Sequence, residues 1–157
     1  MSTLPVPAKA DPGLSLEEMK QFVRDHFENF VNRKKSEVAL RNFSEDFLDH
    51  DEPSGPTSGP GAAKRMIEGA YIKWPDLHVT VEDILAEGDK VMVRNTVFGT
   101  HRGEFMGIAP TGKQIQQRGF DLFRIAGGKV VEHWGEYDWF GLYQQLGVVP
   151  EIGKEKG

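Results

Sequence analysis

A change in hydrophobic period at Pro75 constrains the fold of this chain more than any other feature of the sequence. Up to Trp74, apolar residues recur every three or four positions, which is the spacing of amphipathic helices. Pro75 stops this pattern, and beyond it apolar residues alternate with polar ones, as on half-buried strands. Helices followed by consecutive strands predict an α+β domain in which helices pack on one face of a curved antiparallel sheet.

Three helical segments are predicted before the strands. Ser15 and Glu18 form a capping-box pattern at the start of a helix whose apolar residues continue to Phe30. A shorter helical segment is predicted over residues 36–47, and the clearest helix runs over residues 61–74. A loop rich in Gly and Pro separates these two helices.

Four strands and a short closing helix are predicted after Pro75. The strands are expected at residues 77–82, 91–101, 115–125 and 130–137, and the helix at residues 139–146. Residues 14–150 are therefore predicted to form one domain that encloses a pocket in a half-open cone. Residues 1–13 are expected to be a loose arm, and residues 151–157 a frayed tail.

Composition and charge exclude several classes of protein. The 157 residues include no cysteine, which rules out a disulfide framework, a thiol nucleophile and a cysteine-based metal site. The net charge of −5 without a long basic cluster offers no surface to a nucleic acid. The histidines lack metal-ligand spacing, and no nucleotide-binding glycine motif occurs, so neither a metal nor another cofactor is expected. The absence of a signal peptide and of a long apolar run predicts no membrane partner and a cytoplasmic location.

Asp121 and His133 are the first candidates for chemistry, because they share one face of two neighbouring strands. A three-residue turn at residues 126–128 would pair Asp121 with His133, and Gly119 with Gly135, on that face. A two-residue turn would exchange the faces of one strand relative to the other. We favour the first register because it gathers the apolar residues on one surface. A carboxylate and an imidazole there can exchange a proton near neutral pH, although a purely structural pair is the alternative.

Further site residues are expected around this pair. The two glycines leave space above the sheet, as expected where a ligand approaches the backbone. His101 ends a strand on the same face, and His50 lies beside the loop at the mouth of the predicted pocket; a surface position is the alternative for both. Asp49 and Asp51 are interpreted as surface residues. The predicted catalytic residues are Asp121, His133 and His101, and the predicted substrate-binding residues are His50, Asn95, Phe105, Arg118, Gly119, Trp134, Gly135 and Asp138.

An ordered series of short motifs between residues 22 and 150 makes the chain recognisable. The motifs are Phe47-Leu-Asp-His-Asp51, Trp74-Pro-Asp-Leu77, Glu87-Gly-Asp-Lys-Val91, Gly99-Thr-His-Arg-Gly-Glu104, Gly107-Ile-Ala-Pro-Thr-Gly112, Asp121-Leu-Phe-Arg124, Glu132-His-Trp134 and Gln145-Leu-Gly147. Together they resemble the SnoaL-like polyketide cyclase family, often called ester cyclases, of the nuclear transport factor two-like superfamily. This resemblance implies a cone of bent antiparallel sheet that three helices close around a cofactor-free pocket.

The resemblance also implies a chemistry and one departure from it. Members of the family close rings in polyketide esters by intramolecular aldol addition, with residues that remove a carbon-bound proton and reprotonate the enolate oxygen. By this resemblance Asp121, His133, His101 and His50 line the cavity. The acid/base carboxylate of the family directly follows the His-x pair, and here that position is Gly135. The chemistry must then fall to Asp121 with His133 or His101 as its partner, or the cyclase reaction is absent.

We therefore predict a cofactor-independent acid/base enzyme that acts on a small apolar carbonyl compound, by aldol-type cyclisation or isomerisation. Asp121 would move the proton, His133 would orient Asp121, and His101 would polarise the substrate oxygen. Two alternatives stay open. One is an enzyme of the same fold that resembles an epoxide hydrolase, and the other is a non-catalytic domain that binds a small apolar molecule. A homodimer or higher homo-oligomer is expected, because the curved sheet of this fold often pairs with a second copy.

Overall fold

The computed structural model describes residues 11–51 and 57–149, and it confirms the α+β class. The helical elements are α1 (Leu16–His26), a π-helical turn (Phe27–Asn32), a 3₁₀ turn (Ser36–Val38), α2 (Ala39–Asn42), α3 (Pro60–Lys73) and α4 (Trp139–Leu146). The strands are β1 (Phe43–Asp49), β2 (Thr57–Ser58), β3 (His78–Glu87), β4 (Lys90–Thr100), β5 (Gln114–Ala126) and β6 (Lys129–Tyr137). The predicted C-terminal tail and most of the predicted N-terminal arm lie outside the described residues.

The helix predictions are confirmed at their starts and are partly wrong at their ends. α1 begins with the predicted capping box, in which the Ser15 hydroxyl accepts from the Glu18 amide and the Glu18 carboxylate accepts from the Ser15 amide. The helix predicted over residues 36–47 is wrong in its second half, because Phe43 begins β1. Phe43 and Phe47 have a spacing that suits a helix, but both rings enter the core from an irregular strand.

The strands form one six-stranded sheet in the order β2-β1-β6-β5-β4-β3. All neighbouring strands are antiparallel except β1 and β6, which are parallel, so the sheet is mixed and not wholly antiparallel as predicted. The parallel pair sets Asp49 of β1 beside His133 of β6. Register shifts in three of the pairs accompany the curvature of the sheet, since extra residues bend a strand.

The β5–β6 hairpin has the alternative predicted register next to its turn, but neither predicted register holds at Asp121. Its turn contains two residues, Gly127 and Gly128, whose positive φ angles of 55° and 74° suit a tight hairpin turn. An extra residue in β6 then shifts the register, so that Asp121 pairs with Gly135 and not with His133. The observed register differs from the favoured prediction by two residues. Because side chains alternate with a period of two, Asp121 and His133 still share one face, as predicted.

The described end of the predicted N-terminal arm is attached to this hairpin. The carbonyl oxygens of Asp11 and Pro12 accept hydrogen bonds from the amides of Gly127 (3.0 Å) and Gly128 (2.7 Å). The prediction of a loose arm is therefore wrong for residues 11–13, which pack against the turn between β5 and β6.

The core lies between the helices and the concave face of the sheet. The side chains of Val91, Val93 and Phe123 point into it from β4 and β5 and are at most 4% exposed. Gln117 and Asp121 have the same inward parity on β5 and are also buried, at 7% and 3% exposure. The alternation of the strand thus carries polar groups into an apolar interior, where a group without a hydrogen-bond partner is costly.

Candidate active site

A cavity of about 240 Å³ lies between the helices and the concave face of the sheet. Apolar side chains from α1, the π-helical turn, α3 and the strands make up most of its lining. The polar side chains on β5, β6 and the end of β1, called here the polar wall, are Asp49, Asp51, Gln117, Asp121, His133 and Tyr137. A largely apolar cavity with a few convergent polar groups is the usual form of a small-molecule site.

The predicted pair of Asp121 and His133 is present, and it extends to a second carboxylate. Nε2 of His133 is 2.8 Å from Oδ1 of Asp121, and Nδ1 is 3.0 Å from Oδ1 of Asp49. Both carboxylates are buried, and the imidazole lies between them. The prediction that Asp49 lies on the surface is wrong, because the parallel pairing of β1 with β6 brings Asp49 to His133.

The two carboxylates keep His133 positively charged. Burial alone lowers the pKa of an imidazole, but the hydrogen bonds and charges of Asp121 and Asp49 outweigh it and raise the pKa of His133 to about 10. Burial raises the pKa of Asp49, but the hydrogen bond and charge of His133 outweigh that effect and hold this pKa below its ordinary value. The imidazolium therefore offsets the cost of burying two negative charges.

Two further donors bind Asp121. The Tyr137 hydroxyl lies 2.9 Å from Oδ1 and 2.8 Å from Oδ2, and Nδ2 of Asn95 donates to Oδ2. Burial, reinforced by the charge of Asp121, raises the pKa of Tyr137 well above its ordinary value and keeps the hydroxyl protonated as a donor. Together with His133, three donors surround this carboxylate. Asn95, predicted to bind substrate, instead anchors Asp121 from beneath the cavity surface.

Protein side chains occupy the space above the two predicted cavity glycines. A Cβ on Gly119 would overlap the ring of Tyr137, with its Cγ 2.8 Å away. A Cβ on Gly135 would overlap Oδ2 of Asp51 and lie 3.0 Å from its Cγ. The prediction that these glycines leave room for a ligand is therefore wrong, as is the surface position predicted for Asp51. Both glycines allow a neighbouring side chain to lie directly on the sheet.

The structure does not bring His101 to Asp121. His101 is fully buried just after the end of β4, where its Nδ1 is 3.0 Å from the Thr111 hydroxyl and its ring centroid is 5.0 Å from that of Trp74. Asp121 pairs with Val93 of β4. His101 lies eight residues after Val93, which is roughly 25 Å in an extended chain. His101 is absent from the lining of the cavity.

His50 and Trp134 pack against each other outside the lining of the cavity. Their ring centroids are 4.7 Å apart and their planes differ by 3°. His50 also places Nε2 3.3 Å from Oε1 of Glu132. Trp134 has the opposite parity to His133 on β6, and this explains why its ring lies on the other face of the sheet. Both residues were predicted to bind substrate, and the structure separates both from the polar wall.

The other residues predicted to bind substrate, Arg118, Asp138 and Phe105, lie outside the polar wall. Arg118 is exposed, because its parity on β5 is opposite to that of Asp121. Asp138 caps α4 by accepting a hydrogen bond from the Gly141 amide at 2.8 Å. Phe105 lines a second cavity of about 190 Å³ that adjoins the first. The side chains that line both cavities are Met66, Ala70, Leu77, Val97, Gln117 and Trp139.

Four members of the polar wall were not predicted as site residues from the sequence: Asp49, Asp51, Gln117 and Tyr137. Strand parity was a usable signal for two of them. Gln117 lies four residues before Asp121, and Tyr137 lies four residues after His133, so each shares the face of its neighbour. No such signal existed for the two aspartates, since their position depends on the pairing of β1 with β6.

The described residues contain neither a metal-binding cluster nor a membrane-spanning helix. No group of three or more His, Cys, Asp or Glu side chains in residues 11–51 and 57–149 is arranged to hold a metal ion. No helix within the same residues has both the length and the apolar character needed to cross a membrane.

The fold and the polar wall define a pocket protein of the nuclear transport factor two-like class. A model of the SnoaL-like polyketide cyclase family matches residues 20–146, and the chain belongs to this family. DnrD of Streptomyces peucetius, named as an aklanonic acid methyl ester cyclase, is 28% identical over 130 residues, which cover 80% of this chain and 88% of DnrD. The family and this relative support a cyclase-type enzyme.

Two further relatives match different shares of the chain. AcmA of Streptomyces galilaeus, also named as an aklanonic acid methyl ester cyclase, is 37% identical over 59 residues, which cover 38% of this chain and 41% of AcmA. The aligned part thus spans less than half the length of that relative. The crystal structure of AclR from the same organism, provisionally described as a hydroxylase, matches with a TM-score of 0.79 and 33% identity over 89% of this chain and 91% of AclR.

The packing of Tyr137 on Gly119 predicts the effect of adding one methyl group. We expect Gly119→Ala to lower the free energy of unfolding by about 1–3 kcal/mol, because the new Cβ overlaps the Tyr137 ring. Gly69→Ala in α3 is the control, since no atom lies within 4 Å of its Cβ and alanine favours a helix by up to ~1 kcal/mol. Urea unfolding of both variants measures the difference, and equal stability of Gly119→Ala and the parent would contradict the packing.

The charge of His133 predicts how stability depends on pH. The folded-state pKa of about 10 lies above the ordinary value of 6.5, so the stabilisation by this group is complete below pH ~6.5 and is lost as the pH rises through about 10. We expect the free energy of unfolding to fall between pH 7 and pH 10 in the parent. We expect His133→Gln to have a lower free energy of unfolding than the parent near neutral pH. The difference between the two proteins should shrink as the pH rises towards 10. Urea unfolding at several pH values checks it, and parallel pH curves for the two proteins would show that His133 does not titrate in this window.

Proposed function

We propose that this protein is a cofactor-independent acid/base enzyme that closes a ring in a small apolar carbonyl compound by intramolecular aldol-type addition. The observation that carries the proposal is the chain of Asp121, His133 and Asp49 on the wall of an otherwise apolar cavity. A carboxylate on this wall removes a carbon-bound proton, and the resulting enolate attacks a carbonyl carbon within the same molecule. The cavity holds the two reacting carbons together, which lowers the entropic part of the barrier.

The electrostatics of the polar wall suit this chemistry. Enolate formation places negative charge in a cavity with a low local dielectric, where a fixed positive charge stabilises it more strongly than in water. His133 supplies that fixed charge, because its two carboxylate partners keep it protonated. Tyr137 supplies a second protonated group on the same wall. No redox step is needed, since ring closure by aldol addition only moves protons and an electron pair.

Gln117 is the residue we propose for binding the substrate oxygen. Its side chain is buried between the two cavities, and no described residue accepts a hydrogen bond from its Nε2. A buried amide donor without an acceptor costs about 1–3 kcal/mol unless a ligand supplies one. A substrate that spans both cavities would place a carbonyl oxygen at this donor. Its ring system would then contact Phe105 in the second cavity, in keeping with the substrate-binding role predicted for Phe105.

The other predictions about partners and location stay predictions. A homodimer is compatible with the outer face of the sheet, where apolar side chains of Leu85, Met92, Phe98 and Phe120 are exposed. A cytoplasmic location rests on the sequence alone.

Turnover of a carbonyl compound tests the proposed function. The test compounds are aklanonic acid methyl ester, for which the relative DnrD is named, and a simpler aromatic 3-oxo ester. Because ring closure leaves the mass unchanged, the product is followed by chromatography and NMR, and proton removal is followed by deuterium uptake in heavy water. We expect the parent to convert or exchange at least one compound, and Asp121→Asn to lose about 100-fold or more, since it removes a charge that keeps His133 protonated.

Asp46→Asn is the matched control, because Asp46 lies on β1 with an exposed side chain. It should retain the activity of the parent. Binding of the test compounds without conversion or exchange would contradict the enzyme proposal and support the alternative of a binding domain. A terpenoid epoxide serves as a third test compound, and its opening in place of ring closure would support the hydrolase alternative.

Gln117 predicts a variant that loses activity and gains stability. We expect Gln117→Leu to lower kcat/KM about tenfold, because the variant loses one hydrogen bond to the substrate, worth roughly 1 kcal/mol or somewhat more. The same change should raise the free energy of unfolding, because it removes a buried donor without an acceptor.

Gln116→Leu is the control for this variant, since Gln116 is the exposed neighbour on the outer face of β5. Steady-state kinetics and urea unfolding of both variants provide the two measurements. An unchanged kcat/KM in Gln117→Leu would remove Gln117 from substrate binding.

A further inference from the structure

The carboxylate of Asp51 occupies the place of the side chain that Gly135 lacks. Gly135 pairs with Asp121 across the β5–β6 ladder and faces the cavity. A Cβ built there would overlap Oδ2 of Asp51 and lie 3.0 Å from its Cγ. Asp51 thus presents its carboxylate at the same point of the wall that an acidic side chain at position 135 would reach, but from the segment that follows β1.

The end of β1 holds Asp51 in this position. The His50 amide donates to the His133 carbonyl oxygen at 3.0 Å, which continues the pairing of β1 with β6 past Asp49. The Asp51 amide then donates to Oδ1 of Asp49 at 3.1 Å. These two hydrogen bonds turn the chain so that the Asp51 side chain points over Gly135 into the cavity.

Asp51 and Asp121 differ in their hydrogen bonds. Asp121 accepts from His133, Tyr137 and Asn95, so its lone pairs are engaged. The carboxylate of Asp51 receives no hydrogen bond from any residue in the described part of the chain. Donors stabilise the ionised form of a carboxylate and make it a weaker base, whereas a carboxylate without donors accepts a proton more readily. Asp51 therefore has lone pairs free to take up a substrate proton, whereas the donors around Asp121 engage its lone pairs.

We infer that Asp51, and not Asp121, is the residue that moves the substrate proton. The inference rests on the proposed function and assigns its central step. The Asp51 carboxylate takes a proton from the carbon next to a carbonyl group, so that a C–H bond breaks and an O–H bond forms. The freed electron pair forms the new carbon–carbon bond to the second carbonyl carbon, and Asp51 returns the proton to the oxygen of that carbonyl. The second carbonyl group becomes a hydroxyl group in the product, and the Asp51 carboxylate is again ionised.

The surroundings place the titration of Asp51 close to neutral pH. Burial raises the pKa of Asp51 to about 6. The positive charge of His133 opposes this shift, while the negative charges of Asp49, Asp121 and Glu136 add to it. A base must be ionised to act, so kcat/KM should be constant above pH ~6 and fall as the pH drops below it. Asp121→Asn removes one of the charges that raise this pKa, but it also weakens the protonation of His133, whose charge lowers it, so a fall at acid pH should remain.

The first test compares Asp51→Asn with Asp46→Asn in the full chain. With aklanonic acid methyl ester or the aromatic 3-oxo ester, whichever the parent converts, we expect Asp51→Asn to lower kcat/KM at least 100-fold and to abolish the fall below pH ~6. Asp46→Asn should keep both the rate and the pH profile. Asp121→Asn should keep a fall of kcat/KM at acid pH, because the Asp51 carboxylate is still present. Thermal unfolding confirms that each variant is folded.

The second test places a carboxylate at the same point of the wall from position 135 on β6. Asp51→Ala empties the space above Gly135, and Gly135→Asp in the same chain should raise kcat/KM at least tenfold over Asp51→Ala alone. If the parent is active and Asp51→Asn stays within twofold of it, the assignment to Asp51 is wrong while the proposed function stands. If the parent neither converts nor exchanges any test compound, the proposed function itself fails, and the assignment fails with it.

Discussion

The imidazolium of His133 between two buried carboxylates is the interaction on which the rest of the site depends. Asp121 comes from β5, Asp49 from β1 and the cation from β6, so one side chain ties three strands together at the cavity. Either carboxylate without its cation would be an unpaired buried charge, which is among the most destabilising features of a protein interior. The parallel pairing of β1 with β6 is therefore coupled to the chemistry of the wall.

The polar wall separates charges that hold the structure from the one charge that is free to react. His133 lies between Asp49 and Asp121 and offsets one of their two negative charges, and Tyr137 and Asn95 complete the hydrogen bonds of Asp121. The Asp51 carboxylate stands outside this network, and burial moves its pKa towards neutrality. Enzymes commonly assign different roles to neighbouring carboxylates by giving them different surroundings. A network saturated in this way also holds the geometry around the reactive group rigid.

Part of this arrangement was predictable from local patterns. The switch of period at Pro75 correctly indicated the end of α3 and the four long strands that follow, although β1 and β2 precede it. The alternation along β5 and β6 correctly placed Asp121 and His133 on one face. The prediction was less accurate where a pattern suited two structures, as for Phe43 and Phe47. His101 was assigned to the cavity by parity alone, but parity fixes a face and says nothing of the distance along a strand.

The sequence by itself determined the fold class, the family and the inward face of each long strand, because these depend on residue periods and motifs that are local in the chain. Only the tertiary structure decided which polar groups join Asp121 and His133. Asp49 and Asp51 reach His133 and Gly135 through a parallel strand pair that joins residues more than eighty positions apart. The space above the glycines was likewise assigned to Tyr137 and Asp51 only by packing. Long-range strand pairing and volume exclusion leave no periodic signal in a single sequence.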